Sequence, residues 1–516
     1  MLLGLSALPS NLYYLNFIAF IPLLVASDWT LTLKKTLFTF TLQLLLALVV
    51  FFFYVGHWLL SAGNMGYLIA LLIVVPFVLL VSPYILFKKR GNKFAPVYFI
   101  AVWLTGEMVQ AYFQLGSPFF NLGHSLGAKP RLIQWYEFTG ASGGTLWILT
   151  MNFLLYSLGK TLISDRKRWV KISVAALSVL LFPVIISMII YAGYKEKGSP
   201  GEVLIIHPST DCTNVKYRIN IYELMDIYLK VMLPQLTDKT EYVVLPETAI
   251  PNAGWVADLN NNLVFDHFLK STSQYPNLKL VTGAVNYEEI PNVEKIKGYK
   301  KIPGIRFSEK YKVWYYTYNS ALQIERGQPV QMRTKDGLVP YSEYAPYPLI
   351  MPRLAPVGID FQFSKREKNR LVFNADNGKN VSALICYELV YGRLFNQAVR
   401  KGARAFFVLL NEGWYTNSPK VPQQFLQLSV VRAIENRRDI AHASNMGISA
   451  FIDQRGDVVA RNDSKQPGFL KHEIRMNKQH TVAATLGNYL EVSALAAITF
   501  LIIGELISKR SLRNKL

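Results

Sequence analysis

Val381-Ser-Ala-Leu-Ile-Cys-Tyr-Glu388 is a short apolar run that ends in a cysteine, an aromatic residue and a carboxylate. Small and β-branched residues that stop at such a group, with Gly392 close behind, predict a buried strand where it leaves its sheet. A side chain at that point stands on a rigid element and faces a crevice, as a nucleophile requires. Cys386 is therefore a candidate nucleophile. A structural role is the alternative, because free cysteine is among the most buried residue types.

The segment from 198 to 486 around this run alternates between two kinds of pattern. Two amphipathic stretches typical of helices lie at 222–236 and 423–438. Short β-like runs recur at 203–206, 242–245, 278–282, 320–324, 381–385, 405–410 and 448–452. This alternation predicts a single α/β domain with helices layered over sheet.

The chain on both sides of this segment is apolar enough to enter a membrane. Hydrophobic residues make up 51% of the 516, and the mean hydropathy of +0.21 is high for a soluble protein of this size. Most of the apolar runs before residue 193, and another at 490–507, are long enough to cross a bilayer as helices. They predict a multi-pass helical membrane domain of about eight spans, with seven in 1–193 and the last in 487–516, ahead of a basic tail.

Clusters of lysine and arginine follow every second predicted span, at 34–35, 88–93, 160–171 and 509–515. Cytoplasmic loops of membrane proteins are rich in these residues, so all four clusters fall on the cytoplasmic side and the α/β domain on the outer face. This placement accounts for much of the net charge of +21. A nucleic-acid partner is not expected, because the outer domain lacks a stacking platform with a concentrated basic groove.

Metal ligands and a disulfide scaffold are not indicated either. The seven histidines do not cluster at ligand spacing with carboxylates or cysteines, so neither a metal nor another cofactor is expected. Cys212 and Cys386 are the only cysteines, too few for a disulfide framework. One disulfide between them stays open for a domain outside the cytoplasm.

Three stretches of the outer segment carry reactive side chains among turn-forming residues. They are Leu245-Pro-Glu247-Thr-Ala-Ile-Pro251, the loop from Lys335 to Glu343, and Cys386-Tyr387-Glu388. Prolines on both sides of Glu247 fix the backbone that carries it. Each stretch has a plainer interpretation: Glu247 as a helix cap, Lys335 as a solvated loop cation, and Glu343 or Glu388 as half of a salt bridge.

In the order Glu247, Lys335 and Cys386, these stretches resemble the nitrilase (carbon-nitrogen hydrolase) superfamily. With the apolar runs around them, the chain resembles the membrane-bound branch of that superfamily, the apolipoprotein N-acyltransferases, almost from end to end. Further stretches that carry the resemblance are Thr282-Gly283, Tyr318-Asn319-Ser320, Asn411-Glu-Gly-Trp414, Ser444-Asn445 and, more weakly, Gly116-Ser-Pro118 in the membrane part.

The resemblance implies an αββα sandwich for the outer domain and a Glu-Lys-Cys triad. Cys386 is then the nucleophile, Glu247 the general base, and Lys335 the oxyanion-stabilising cation together with a backbone N–H after the cysteine. As a nearby cation, Lys335 is also expected to favour the thiolate. Glu343 and Glu388 are expected to orient Lys335 and to hold the local charge balance.

Substrate-binding residues also follow from the resemblance: Tyr387, Trp414, Asn319 and Tyr217. Tyr387 is expected to line the acyl or headgroup pocket. The chain departs from the family at Lys216-Tyr217, where a tryptophan is expected, and at Glu412, where the family has an aspartate.

The implied activity is an acyltransferase reaction, the last step of bacterial lipoprotein maturation. An acyl chain passes from a phospholipid resembling phosphatidylethanolamine to the free α-amine of an apolipoprotein's diacylglyceryl-cysteine, by a ping-pong mechanism through a cysteine thioester. The implied enzyme is a monomer of the bacterial inner membrane whose catalytic domain faces the periplasm.

Two other functions stay open. One is a membrane-anchored amidase or nitrilase that releases its acyl group to water, although hydrolysis of a soluble amide needs no such anchor. The other is a non-catalytic transporter or scaffold with Cys212 and Cys386 joined in a disulfide.

Overall fold

A computed structural model gives the structure of the protein. It describes the chain apart from residues 8–11, 57–65, 115, 163–164, 213–214, 297–303, 341, 345–362, 365–369, 416–417, 419 and 514–516, and apart from the side chains of 7, 66–70, 72, 415 and 508–513. The chain forms two compact units. The helical unit comprises Met1–Tyr194 with Leu486–Leu516, and the α/β unit comprises Lys195–Thr485.

The helices, in chain order, are α1 Leu2–Ala7, α2 Ile21–Thr30, α3 Thr36–Val55, α4 Gly66–Val81, α5 Tyr84–Lys89, α6 Ala95–Gln110, α7 Tyr136–Thr139, α8 Ala141–Thr161, α9 Arg166–Gly193, α10 Ile221–Met232, α11 Leu263–Ser271, α12 Gly392–Arg400, α13 Lys420–Asn436, α14 Val482–Leu486 and α15 Tyr489–Arg513. The strands are β1 Ser199–His207, β2 Thr240–Val244, β3 Lys279–Glu289, β4 Ile305–Ser308, β5 Val313–Glu325, β6 Gln331–Thr334, β7 Val381–Ile385, β8 Ala405–Leu410, β9 Ile440–Ser444, β10 Ser449–Ile452, β11 Val458–Asn462 and β12 Gly468–Met476.

The helical unit has the apolar helices of a membrane domain, as predicted. Among the described residues, three helices are long and apolar enough to cross a bilayer: α3, α9 and the part of α15 from Tyr489 to Ile507. Another run predicted as a span forms a shorter helix, α6, whose 16 residues extend about 24 Å against a hydrocarbon layer of roughly 30 Å. The first two apolar runs contain helices of only 6 and 10 residues, α1 and α2. The count of about eight spans stays a prediction.

Glu107, a carboxylate inside α6, is buried among hydrogen-bond donors of the helical unit. Its Oε1 accepts from the Trp103 indole at 3.2 Å and from the Leu122 N–H at 2.9 Å, and its Oε2 accepts from the Thr145 hydroxyl at 2.8 Å. A buried carboxylate is tolerated when such donors satisfy it. These contacts favour a structural role, in which Glu107 ties α6 to α8 and to the segment that follows α6.

The α/β unit contains two sheets. The first has seven strands in the order β12-β1-β2-β3-β5-β4, with β6 also paired to β5, and the second has the order β11-β10-β9-β8-β7. Strands β1, β2 and β3 run parallel to one another, as do β7, β8 and β9. Ring contact between Tyr242 of β2 and Phe407 of β8, with centroids 5.2 Å apart, joins the facing sides of the two sheets.

Helices cover the outer faces of both sheets. Apolar residues of α10 and α11, among them Tyr228 and Phe268, form one buried core with β1, β2, β3 and β5. On the second sheet, Phe395 of α12 packs edge-on against Phe406 of β8, with ring centroids 4.8 Å apart, and α13 packs against β9 and β10. The layers therefore run helix, sheet, sheet, helix, and the predicted αββα sandwich is confirmed.

The strand ends of this sandwich position the reactive residues. Glu247 follows the end of β2 in the first sheet, and Cys386 follows directly on β7 in the second. Lys335 comes directly after β6. Side chains at the carboxyl ends of packed strands share one crevice, so residues far apart in sequence converge there.

Candidate active site

Cys386 stands on a strained turn at the end of a fully buried strand. All five residues of β7 are buried, and they pair in parallel with β8. The backbone of Cys386 then takes a φ of 49°, in the left-handed region that residues with a Cβ seldom adopt. Such strain costs about 1–3 kcal/mol and persists only where the surrounding structure holds it. The turn lifts the thiol off the strand, while the residue keeps only 7% of its surface exposed.

Lys335 lies between two carboxylates. Its ammonium nitrogen is 3.1 Å from Glu247 Oε1 and 2.8 Å from Glu343 Oε1. The side chain is only 1% exposed, and the backbone N–H of Lys335 donates to the Asn319 carbonyl of β5 at 2.8 Å. The backbone of Lys335 is therefore held by the sheet, and its ammonium is held by the two carboxylates.

Glu247 is fixed in position by its backbone and its side chain. The Asn319 amide donates to Glu247 Oε1 at 2.8 Å, and the Cys386 thiol shares a hydrogen bond with the Glu247 carboxylate. The backbone of Glu247 lies against Gly283 of β3, where a Cβ would stand 2.6 Å from Glu247 Cα. Only glycine allows that close approach. The carboxylate therefore contacts both the thiol and the lysine.

The charges of this cluster leave the resting cysteine as a thiol. Burial raises the pKa of Cys386, and the charge of Glu247 raises it further, well above its usual range. Lys335 acts in the opposite direction and favours the thiolate, as expected, but burial and Glu247 outweigh it. Burial works to lower the pKa of Lys335, yet Glu247 and Glu343 raise it well above its usual range. The site thus holds a neutral thiol and a protonated lysine beside the Glu247 carboxylate.

Glu343 orients Lys335 directly. One oxygen accepts from the ammonium, and the other accepts from the Val339 N–H at 2.8 Å. Burial raises the pKa of Glu343 and the nearby Glu247 adds to this, while Lys335 opposes them. The contact agrees with the position that the sequence suggested for Glu343.

The Glu388 carboxylate binds a buried arginine, Arg333, and a backbone N–H next to Lys335. Both of its oxygens bind the Arg333 guanidinium, at 2.6 and 2.7 Å, in a pair with no solvent exposure. The Asp336 N–H donates to Glu388 Oε1 at 2.7 Å, and the Ile385 N–H donates to Oε2 at 2.7 Å. Burial works to raise the pKa of Glu388, but Arg333 and these N–H groups lower it. Glu388 therefore clamps the backbone on both sides of Lys335 to the end of β7.

Arg333 is the member of this clamp that sequence reasoning missed. It is one of the largest fully buried side chains of the chain. Its position two residues before Lys335 was a usable signal, because strand residues two apart share one face of a sheet.

The four residues expected to bind substrate lie in different settings. Asn319 is buried and donates to the Glu247 carboxylate, so it contacts the cluster around Lys335. Tyr387 is buried with its ring 5.7 Å from that of Tyr391. Tyr217 stacks on Trp414, with ring centroids 6.4 Å apart, and 43% of Trp414 is exposed. Of the four, the Tyr217–Trp414 pair presents an exposed aromatic surface.

Cys212 and Cys386 are both free thiols, so the disulfide required by the scaffold alternative is not formed. Within the described part of the chain, no group of three or more His, Cys, Asp and Glu side chains is arranged to hold a metal ion. Taken together, the site can carry out nucleophilic catalysis: a thiol attacks, a carboxylate accepts its proton, and a lysine stabilises the oxyanion.

Comparison with known proteins places this geometry in a family. The carbon-nitrogen hydrolase model matches residues 221–483, and the model of the apolipoprotein N-acyltransferase N-terminal domain matches residues 1–154. The apolipoprotein N-acyltransferase of Pasteurella multocida is 24% identical over 433 residues, covering 80% of this chain and 75% of its own length. That of Chlorobaculum tepidum is 26% identical over 427 residues, covering 79% of this chain and 76% of its own length.

Solved structures with a similar chain course include two nitrilase-superfamily proteins. Nit3 of Saccharomyces cerevisiae is 15% identical with a TM-score of 0.36, covering 54% of this chain and 90% of its own. An amidase from Nesterenkonia is 14% identical with a TM-score of 0.36, covering 56% of this chain and 95% of its own. Because the carbon-nitrogen hydrolase model spans just over half of the sequence, the chain belongs to the carbon-nitrogen hydrolase family, in which it carries the N-terminal domain of the apolipoprotein N-acyltransferases.

Proposed function

We propose that this protein is a phospholipid:apolipoprotein N-acyltransferase. It transfers an acyl chain from a phospholipid to the α-amine of an apolipoprotein's N-terminal diacylglyceryl-cysteine. The observation that carries the proposal is the buried cluster in which the Cys386 thiol, the Glu247 carboxylate and the Lys335 ammonium meet. The relatives named apolipoprotein N-acyltransferase, matched over about 80% of this chain, support the choice of substrates.

The first half-reaction forms the acyl-enzyme. The Cys386 thiol attacks the ester carbonyl of the phospholipid while Glu247 accepts its proton. Lys335 and a backbone N–H after the cysteine stabilise the oxyanion of the tetrahedral intermediate. Its collapse breaks the ester C–O bond, and the lysophospholipid leaves with the proton from Glu247. A thioester on Cys386 remains.

The second half-reaction transfers the acyl group to the amine. The free α-amine attacks the thioester carbonyl, and Glu247 accepts a proton from the nitrogen. Collapse of the second intermediate breaks the C–S bond and forms the amide, and the proton on Glu247 returns to the Cys386 sulfur. No net charge is created, so a site as buried as this one can complete the cycle.

The setting of the reaction belongs to the same proposal. Residues 198–486 form the catalytic domain, and it faces the periplasm from the bacterial inner membrane, with 1–193 and 487–516 providing the membrane helices. The basic clusters at 34–35, 88–93, 160–171 and 509–515 support this orientation. The enzyme acts as a monomer on a donor resembling phosphatidylethanolamine, and Tyr217, Trp414 and Tyr387 contact the lipid substrates.

Intact-protein mass spectrometry of the full-length chain in detergent tests the first half-reaction. Mixed with phosphatidylethanolamine, the protein gains the mass of one acyl group, and hydroxylamine removes it. Cys386→Ala and Cys386→Ser gain no such adduct, while Cys212→Ala, at the other buried free thiol, gains it as the wild type does. An adduct that survives in Cys386→Ala, or none in the wild type, contradicts the proposal.

The acceptor is tested by adding a synthetic peptide whose N-terminal residue is diacylglyceryl-cysteine. The free amine discharges the acyl-enzyme and becomes acylated, whereas the same peptide with a blocked amine leaves the adduct in place. Release of free fatty acid at an equal rate with both peptides identifies the hydrolase alternative instead.

A further inference from the structure

Lys216 is a second buried lysine next to the catalytic residues, and the reaction above does not use it. Its side chain has almost no solvent exposure, at 1%. The ammonium nitrogen donates to the backbone carbonyl of Glu247 at 2.9 Å and to the Thr248 hydroxyl at 2.9 Å. The backbone N–H of Lys216 donates to the Asp211 carbonyl at 2.9 Å, which anchors the lysine in its own loop. The side chain therefore reaches from this loop to the residue that carries the base.

The segment that Lys216 contacts is strained and tightly enclosed. Thr248 has a φ of 48°, a left-handed conformation that a residue with a β-branched side chain rarely adopts. On its other side, Gly283 approaches so closely that a Cβ there would stand 2.5 Å from the Thr248 nitrogen. A conformation of this kind persists only when neighbouring groups hold it in place. Lys216 is a charged group in direct contact with this segment.

The charge of Lys216 also faces the catalytic residues. Burial lowers the pKa of Lys216 to about 8, while the charges of Glu247 and Cys212 oppose this effect. A methionine would fill a similar volume without the cost of desolvating an ammonium. The contacts of the ammonium with Glu247 and Thr248 offset that cost, and they act directly on the backbone of the general base.

We propose that Lys216 is a positioning residue for the general base: its ammonium fixes the Glu247–Thr248 backbone so that the Glu247 carboxylate stays within reach of the Cys386 thiol. The inference rests on the proposed roles of Glu247 and Cys386. It does not depend on which acyl donor or acceptor the enzyme uses.

Alkylation of Cys386 by iodoacetamide tests this without a lipid substrate. The full-length protein in detergent is reacted across a pH series, and peptide mapping separates modification of Cys386 from that of Cys212. In Lys216→Met the rate at pH 7 falls about 100-fold, the effect of moving a catalytic group by about 1 Å. The gap narrows at high pH, because Lys216 in the wild type loses its proton above about pH 8 and the thiol then ionises without help from a base. Lys216→Arg keeps a donor and recovers most of the rate.

Lys279 provides the matched control. It is a buried lysine in the same unit, at the first residue of β3, and its ammonium is 3.0 Å from the carboxylate of Glu325 at the end of β5. Lys279→Met lowers the thermal stability but leaves Cys386 alkylation at the wild-type rate. A purely structural role for Lys216 would give the same result in Lys216→Met, and a wild-type rate in that variant therefore overturns the proposal.

Thr248→Ala keeps the test decisive if Lys216→Met does not fold. It removes one acceptor of the ammonium and slows alkylation by a smaller factor, on the order of 10-fold. Where both variants fold, the double variant is no slower than Lys216→Met alone, because the two residues act through one segment. A wild-type rate in Thr248→Ala, or multiplicative losses in the double variant, contradicts the inference. If the alkylation rate of Cys386 depends on Lys216 but the protein forms no thioester with phospholipid, the proposed function is refuted and this inference stands.

Discussion

The buried clamp between Glu388 and Arg333 gives the sharpest prediction of the structure. In Glu388→Gln one oxygen becomes an amide nitrogen, so one of two sets of bonds is lost. If the nitrogen replaces Oε2, Arg333 and the Ile385 N–H each lose an acceptor. If it replaces Oε1, Arg333 and the Asp336 N–H each lose an acceptor. The fully buried guanidinium then faces only the more distant, partly exposed Asp336 carboxylate, at 3.8 Å. Breaking a buried pair in this way costs about 3–5 kcal/mol of unfolding free energy.

The same change reaches the reaction through Lys335, which lies between Arg333 and Asp336. When the clamp opens, the backbone around Lys335 is held less firmly, and a displacement of about 1 Å slows catalysis about 100-fold. Thioester formation with phosphatidylethanolamine, followed by intact-protein mass spectrometry, measures this loss. Thermal unfolding of the same sample measures the stability change.

A second variant separates the two effects. In Arg333→Met/Glu388→Gln no buried charge is left unpaired, so we expect at least about 2 kcal/mol of the lost stability to return. The rate stays low, because the cross-link between β6 and the end of β7 is still missing. Glu325→Gln, which breaks the pair with Lys279, serves as the control and keeps the wild-type rate. Wild-type acylation in Glu388→Gln, or full recovery of the rate in the double variant, would refute this reasoning.

Two further predictions concern pH. Glu343→Gln removes one of the charges that raise the pKa of Lys335, so the ammonium loses its proton at a lower pH. The alkaline limb of the pH–rate profile for acylation therefore moves to lower pH. An unchanged limb would contradict the contact of Glu343 with Lys335 as the cause. Burial raises the pKa of Glu412 from 4.5 to about 7, so the folded state binds more protons than the unfolded state between these values. The contribution of Glu412 to stability is therefore fully present below pH 4.5 and falls by about 3 kcal/mol as the pH rises to 7. Glu412→Gln lacks this slope and is the more stable protein at pH 8 in thermal unfolding; equal slopes would show that Glu412 titrates normally.

The sequence determined the order and identity of the reactive groups, because these lie in short local patterns. The run at 381–385 gave the bounds of β7, and the run at 405–410 gave those of β8. Turn-forming residues around Glu247, Lys335 and Cys386 marked all three as strand-end positions. The apolar flanks likewise predicted a helical membrane domain from composition alone.

Other strands escaped sequence reasoning for a physical reason. β12 alternates charged and apolar residues. Its place in the first sheet comes from pairing nine residues with β1, which lies more than two hundred and sixty positions earlier in the chain. β6 has only four residues and its ladder depends on β5. A strand whose stability comes from a distant partner leaves little local signal.

Only the tertiary structure decided which partner each charge takes. No local pattern indicated that Glu388 pairs with Arg333, 55 positions away in the chain. Lys216 gave no sign in the sequence of its contact with the Glu247 carbonyl, 31 positions away. Local patterns specify which side chains stand at strand ends. Their contacts and charge states depend on distances and burial that exist only after the two sheets have packed together.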